Sequence, residues 1–569
     1  MAGATDPVRR LAAVSHDTST DAGDDTSGDA QLEAIRIGYA FTGAALNLGA
    51  AVSAGAPVPD VQVGLPLSSM NRHGLIAGAT GTGKTKTLQA MAEQLSDAGV
   101  PVFLADMKGD LSGLAVAGEP GEKITRRTES IAQQWRPAAS PVEFLTLGGQ
   151  GRGAPIRTTV TSFGPVLLSK VLGLNDTQES ALGLIFHYAD QAGLALLDLK
   201  DLREVIMFLT SDEGRAELKG LGGVSSQTAG VILRELTTFA NNGAEVFFGE
   251  PEFDTADLLR TAQDGRGVIS CLELPGVATR PELFSTFLMW LLADLFQDLP
   301  EVGDAEKPKL VFFFDEAHLL FKDASASFLP SIEQTVRLIR SKGVGVFFVT
   351  QTPKDVPGEV LGQLGNRVQH ALRAFTPDDA KALKATARTY PRSAYDLEEL
   401  LTQLGTGEAV VTVLSETGAP SPVAWTRVRT PQTLMATAPD AVFDEVIAAS
   451  ALNTRYAEAV DRESAYEILK ARLDGGADAA IGDRAGEQQA PPQRPADRAD
   501  DRGPGRTGER SEDRGGGRRD EPRDRDGADD GKRGGFMDSP AVRSMMRSAG
   551  SALGREITRS LFGTARRRR

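Results

Sequence analysis

Short apolar runs recur along the chain: LIAG, PVFLAD, VEFLTL, GVISCLEL, KLVFFFDE, GVGVFFVTQ and RVQHALRAF. Their apolar residues are consecutive rather than alternating with polar ones, which marks strands buried on both faces. Segments with helical spacing separate them. Strands of that kind flanked by helices predict an α/β fold with an open, mainly parallel sheet and helices on both faces. The alternation breaks from about 164 to 265, where TQESALGLIFHYADQAG, DLKDLREVIMFLTS and SSQTAGVILRELTTFA read as helices of an inserted subdomain. The sheet domain is therefore expected in two parts, 31–163 and 266–440, with a helical extension over 441–474.

Two uncharged or nearly uncharged stretches approach the length of a membrane span. Tyr39 to Val58 is mostly Gly, Ala, Ser and Thr and reads as short strands and turns. Pro281 to Leu299 is interrupted by Glu282, Asp294 and Asp298 and reads as a buried amphipathic helix.

Composition adds the ends. Residues 1–30 and 475–538 are polar, Gly/Pro-rich and dense in mixed charge, and cannot bury enough apolar surface to order themselves. They are expected to be a disordered tail and a linker. Of the 569 residues, 41% are hydrophobic and 24% charged, enough for a large core. The single cysteine, Cys271, excludes an intrachain disulfide and a cysteine-based zinc site, and no signal peptide is visible, so a cytoplasmic location is expected. The formal charge of −15 argues against a general basic coat for nucleic acid. Residues 541–569 depart from that average, with eight arginines against one glutamate.

The chemistry begins at HGLIAGATGTGKTKTLQ, residues 73–89. Gly78, Ala79, Thr80, Gly81, Thr82, Gly83, Lys84 and Thr85 fit the phosphate-binding pattern G-x-x-x-x-G-K-[ST] at a strand-to-helix junction. Glycines let backbone N–H groups turn inward onto a phosphate, Lys84 adds charge toward the β- and γ-phosphates, and the Thr85 hydroxyl can complete a Mg²⁺ shell. His73 reads as structural.

A phosphate loop alone does not separate a GTPase, a small-molecule kinase and an ATP motor, so a second acidic motif decides. LVFFFDE is an apolar strand ending in Asp315, positioned to hold Mg²⁺, and Glu316 beside it can deprotonate an attacking water. The string DEAH from Asp315 to His318 does not by itself make a DEAH-box helicase, and His318 reads as structural. The strand Val344 to Gln351 ends in polar residues at the ligand edge, so Gln351 is a candidate γ-phosphate sensor. Asp106 ends the strand after the loop, near the same edge. DMKG there imitates the D-x-x-G of GTPases, but it stands too close to the loop and no N-K-x-D motif occurs, which disfavours GTP.

GATGTGKT, FFFDEAH and FFVTQ, in that order, resemble the HerA-FtsK superfamily of ring-forming ATP motors, and the chain is similar in particular to bacterial HerA-like helicases of the YjgR type. The stretches NRHGLIAGATGTGKT, PVFLADMKGDLSGLA, LVFFFDEAHLLF, VRLIRSKGVGVFFVTQ and LGQLGNRVQHALRAFTP carry the likeness, which covers roughly 34–430. The resemblance implies a RecA-like P-loop fold, ATP and Mg²⁺ as cofactors, nucleotide and Mg²⁺ binding by Lys84 and Thr85, Asp315 as the Mg²⁺ carboxylate, Glu316 as base and Gln351 as sensor. It also implies a homohexamer that contacts DNA. One departure stands at the N-terminus, where a short segment takes the place of the β-barrel of archaeal HerA, so a role in DNA-end resection with a nuclease partner is not implied.

A ring motor couples its subunits through an arginine inserted into the neighbouring site. Arg337 and Arg340 in IEQTVRLIRSKGVG lie on one helical face, and the resemblance aligns Arg340 with the trans arginine; Arg367 and Arg373 are rivals. In TPDDAKALKATAR, a capped helix sets Lys381, Lys384 and Arg388 on one stripe that could follow DNA phosphates or simply face solvent. No aromatic stacking platform is evident, so DNA contact is expected through the backbone. The competing reading is a P-loop switch or scaffold acting on a protein partner. The C-terminal 539–569 reads as a basic amphipathic helix on a tether, able to dock on the body, capture DNA or touch anionic lipid.

Overall fold

The computed structural model describes residues 22–218, 222–277, 280–303, 305–321 and 328–472. The linker expected at 475–538 and the basic helix expected at 539–569 lie outside the described residues.

Leu310–Phe314 shows why the sheet forms. Its residues are all buried, and because successive side chains in a strand point to opposite faces, a run of this kind needs cover on both sides. The strands are β1 (Ala45–Ser53), β2 (Ala56–Pro66), β3 (Gly74–Ala77), β4 (Val102–Asp106), β5 (Val142–Leu147), β6 (Ala154–Ile156), β7 (Ile269–Glu273), β8 (Leu310–Phe314), β9 (Val344–Thr350), β10 (Asn366–His370), β11 (Glu408–Thr412) and β12 (Ala424–Val428). They form one 12-stranded sheet in the order β2-β1-β12-β11-β10-β3-β9-β8-β4-β7-β5-β6. From β10 to β6 every neighbouring pair is parallel. From β2 to β10 every pair is antiparallel.

The helices follow the strands: α1 (Ala22–Gly38), α2 (Lys84–Asp97), α3 (Glu122–Glu129), then α4 (Val160–Val171), α5 (Asp176–Gln191), α6 (Leu199–Thr210), α7 (Asp212–Glu217) and α8 (Ser226–Asn241) between β6 and β7. After β7 come α9 (Pro281–Asp298), α10 (His318–Phe321), α11 (Phe328–Ile339), α12 (Gly358–Leu361), α13 (Pro377–Ala387), α14 (Leu397–Gln403), α15 (Asp440–Ala449) and α16 (Ala451–Tyr456). On one face, Leu88, Met91 and Leu95 of α2 share a core with Leu104, Phe313 and Val349 of three parallel strands. Phe443 of α15 stacks on Phe144 of β5 on that face, at 4.0 Å between ring centres. On the other face Phe103 meets Phe287 of α9 at 6.4 Å, and Phe348 meets Phe321 of α10 at 5.5 Å. The α/β fold with a mainly parallel sheet and helices on both faces stands as read from the sequence.

Two elements differ from expectation. The helix α1 begins at Ala22, inside the segment read as a disordered tail. It is held because Leu32 and Ile35, three residues apart, pack on the core, and Gln31 Nε2 donates to Val423 O at 2.9 Å. The stretch Tyr39–Val58 holds β1, a turn and the start of β2, the strands and turns expected, and they extend the sheet in the antiparallel sense. The run RVQHALRAF is strand only to His370, and beyond it the chain turns toward α13. Pro281–Leu299 is the buried helix expected, and among the described residues no helix is long and apolar enough to cross a membrane.

Candidate nucleotide site

The strand order β3-β9-β8-β4 brings four chain segments to one edge, because parallel neighbours end together. These segments are the phosphate loop after β3, Gln351 after β9, Asp315 and Glu316 after β8, and the Asp106 turn at the end of β4.

The loop is clamped at its start. Gly78 N–H donates to Thr350 O at 3.2 Å and Ala79 N–H to Ala371 O at 2.8 Å, so the neighbouring strands β9 and β10 fix its take-off. Thr82 folds back on Ala79 O through its N–H at 3.3 Å and its hydroxyl at 2.7 Å, and Lys84 Nζ reaches the same oxygen at 3.3 Å. Thr80 and Gly81 are exposed at the mouth and Thr85 is half-buried. Gly78 has φ +155, and a methyl group there would stand 2.5 Å from His370 Cβ, so only glycine fits. Gly83, at φ +115, opens α2. Burial pulls the Lys84 ammonium below its ordinary pKa; Glu316 and Asp315 oppose the shift, and Lys108 adds to it.

Asp315 is 3% exposed, and its Oδ2 is buried with no hydrogen-bond partner. Burial first, then the neighbouring charges of Glu316, Asp106 and Asp110, push its carboxyl up to about 7. Carboxylate oxygens of Asp106, Asp110 and Asp315 all lie within 4.8 Å of one another. An orphaned buried oxygen among clustered acids fits a divalent cation, and hard oxygen donors of this kind suit Mg²⁺.

Glu316 takes a left-handed backbone, φ +49. Its Oε1 accepts a hydrogen bond from Lys108 Nζ, and His318 Nδ1 lies 3.2 Å from Oε2, off the hydrogen-bonding direction. Burial works against the charged form, but Lys108, with His318 and Lys84 behind it, holds the carboxyl below its usual range. His318, read from the sequence as structural, therefore stands beside the acidic pair.

Asp106 has a different task from its neighbours. Its carboxylate accepts from the backbone N–H groups of Lys108 at 3.1 Å, Gly109 at 2.8 Å and Leu111 at 2.8 Å. It thereby shapes the turn that delivers Lys108 to Glu316.

Gln351 is exposed at the end of β9, one residue beyond the carbonyl that holds Gly78. Arg337 and Arg340 are exposed at the other end of that strand. Seven residues of extended chain put Arg340 roughly 20 Å from the phosphate loop of its own subunit. Arg367 and Arg373 are tethered locally, donating to Thr389 Oγ1 at 2.7 Å and Thr402 O at 2.8 Å. Lys381, Lys384 and Arg388 are exposed along α13, which Thr376 and Asp379 cap reciprocally.

Besides Asp110 of the acid cluster, two residues escaped the sequence reading. His370, fully buried, packs under the loop and bonds to α2, and Lys108 caps Glu316. A histidine inside the last apolar run and a lysine inside DMKGD were the available signals.

The sequence model described as helicase HerA-like C-terminal matches residues 52–569. The DNA double-strand break repair helicase HerA of Sulfurisphaera tokodaii is 24% identical over 357 residues, 62% of this chain and 64% of that protein. A probable helicase of Methanocaldococcus jannaschii is 24% identical over 356 residues, 60% of this chain and 63% of that protein. The chain thus spans less than two thirds of the length of these relatives. Among solved structures, the bacterial conjugative coupling protein TrwB aligns over 72% of this chain and 95% of its own, at 15% identity and a TM-score of 0.45. With the phosphate loop, the paired acids and the polar strand end gathered at one sheet edge, and with the match running through nearly all of the sequence, the chain belongs to the helicase HerA-like C-terminal family.

Proposed function

We propose that the protein is an ATP-hydrolysing motor of the HerA type, assembled as a homohexameric ring and moving along DNA through contacts to its backbone. The observation that carries the reading is the convergence of Lys84, Asp315 and Glu316 at one edge, with Asp315 Oδ2 buried and unpartnered. In this reading the backbone of Gly78 to Gly83 cradles the phosphates and Lys84 holds the β- and γ-phosphates. Thr85 and Asp315 hold Mg²⁺, whose charge offsets that developing on the phosphates. Glu316 takes a proton from the attacking water, and Gln351 orients that water or reads the γ-phosphate.

Arg340 enters as a residue of the neighbouring subunit's site. Its distance from its own phosphate loop supports that assignment, since at that separation it does not reach a nucleotide in its own site. The exposed stripe Lys381, Lys384 and Arg388 supports phosphate contact without base reading.

ATP turnover measured with double-stranded, single-stranded and no DNA, alongside the particle mass in nucleotide, tests the proposal. DNA-stimulated turnover in a hexamer is expected. Slow turnover indifferent to DNA would favour a nucleotide switch or scaffold acting on a protein partner.

A further inference from the structure

One carboxylate oxygen of Glu316 is engaged and the other is buried. Oε1 is taken by the Lys108 ammonium, and Oε2 has essentially no accessible surface. A general base must present a lone pair to the water it deprotonates, within hydrogen-bond reach. The arrangement described here is therefore a closed one, and the group that closes it can move. The Lys108 side chain is 51% exposed, whereas that of Glu316 is 7% exposed, so the lysine is the mobile partner and the glutamate the fixed one. The turn beneath the lysine is held independently of the ion pair, because Asp106 grips the N–H groups of residues 108, 109 and 111. Lys108 can thus leave Glu316 by rotating its side chain while the turn stays in place.

We propose that Lys108 is a latch on Glu316, its ammonium shared between the base and a competing anion, the γ-phosphate of ATP, so that Glu316 is free for only part of the time that ATP is bound. The inference rests on the reading of Glu316 as the base. Lys108 meets Glu316 at the same sheet edge as the phosphate loop, and Lys84 and Lys108 both feel the charges of Glu316 and Asp315. A γ-phosphate held by Lys84 supplies the competing negative charge at that edge. Lys108 then acts as a positioning residue: it makes release of the base conditional on a nucleotide that carries the third phosphate. ADP, without it, leaves the latch in place.

The test is steady-state ATP turnover of the full chain without DNA, for the parent, Lys108→Gln, Lys108→Met and Lys108→Arg, with folding followed by thermal melts. The latch predicts a severalfold rise in kcat for the Gln and Met variants, little change in ADP affinity, and return toward the parent kcat in Lys108→Arg, which keeps the cation. A lysine that merely supports the fold would lower the melting temperature and would not raise kcat. A folded Lys108→Gln or Lys108→Met protein whose kcat equals or falls below the parent's overturns the latch. Glu316→Gln, assayed in parallel, separates the two readings: near-parent turnover in that variant removes the base assignment itself, whereas its loss of turnover without a rise in the Lys108 variants removes only the latch.

Discussion

Thr87 Oγ1 lies 2.9 Å from His370 Nε2, a bond that joins the helix behind the phosphate loop to a strand 283 residues further along the chain. The other ring nitrogen, Nδ1, is 2.9 Å from Glu408 O, and since a carbonyl only accepts, Nδ1 carries the proton and Nε2 accepts from the threonine. Burial drives the ring pKa down to about 4, against the bond to Glu408 and helped by Lys84 and Arg127, so the ring is neutral at physiological pH. His370 also sets the floor under Gly78.

Replacing His370 with alanine leaves the Thr87 hydroxyl and the Glu408 carbonyl without this partner in the interior and opens a void beneath the loop. A loss of about 2–4 kcal/mol is expected from such a change. Denaturant unfolding and nucleotide titration check it. Parent-like stability together with parent-like ATP affinity would show that the loop does not depend on this floor.

His73 gives a pH prediction. Its Nε2 donates to Val336 O at 2.7 Å and its Nδ1 accepts from Val346 N–H at 3.0 Å, so α11 and β9 are tied to the strand before the loop by a neutral ring. Burial lowers its pKa from 6.5 to about 4, the Val336 bond opposing and Arg340 adding. The unfolded chain therefore takes up the proton first as pH falls. The stabilisation from the neutral ring is full above about 6.5 and is lost progressively down to about 4, amounting to about 3 kcal/mol. The stability advantage of the parent over His73→Gln should shrink through that window; a constant difference from pH 7 to pH 4 would contradict it.

The arginine assignment calls for mixed rings. Arg340→Ala should be inactive alone, as should Glu316→Gln. Mixed, they form some interfaces that combine an intact base with an intact arginine, and partial turnover should return. Proven mixed rings without recovery would remove the trans role.

The parallel half of the sheet was readable from sequence because its strands are covered on both faces. The runs holding Phe103, Phe312 and Phe348 are continuous apolar segments for that reason. β1 and β2 were harder to place, since ALNLGAAVS and APVPDVQVGLP carry small residues, prolines and charge that say little about pairing. The phosphate loop, Asp315, Glu316 and Gln351 stood out as candidates because a local motif names each, and the strand order brings them to one edge. His370 and Lys108 did not stand out, since each acts on a group far along the chain: the Lys108–Glu316 pair spans 208 residues. The α1 helix was hidden by its composition, in which Leu32 and Ile35 stand among many polar residues.

The convergence of Lys84, Asp315 and Glu316 is the centre of this account, and the turnover of two variants at that edge tests it most directly. Lys84→Ala should lose nucleotide binding. Glu316→Gln should bind ATP with Mg²⁺ and hydrolyse it at least about a hundredfold more slowly than the parent, as expected when a general base is lost. Near-parent hydrolysis by a folded Glu316→Gln protein would contradict the account.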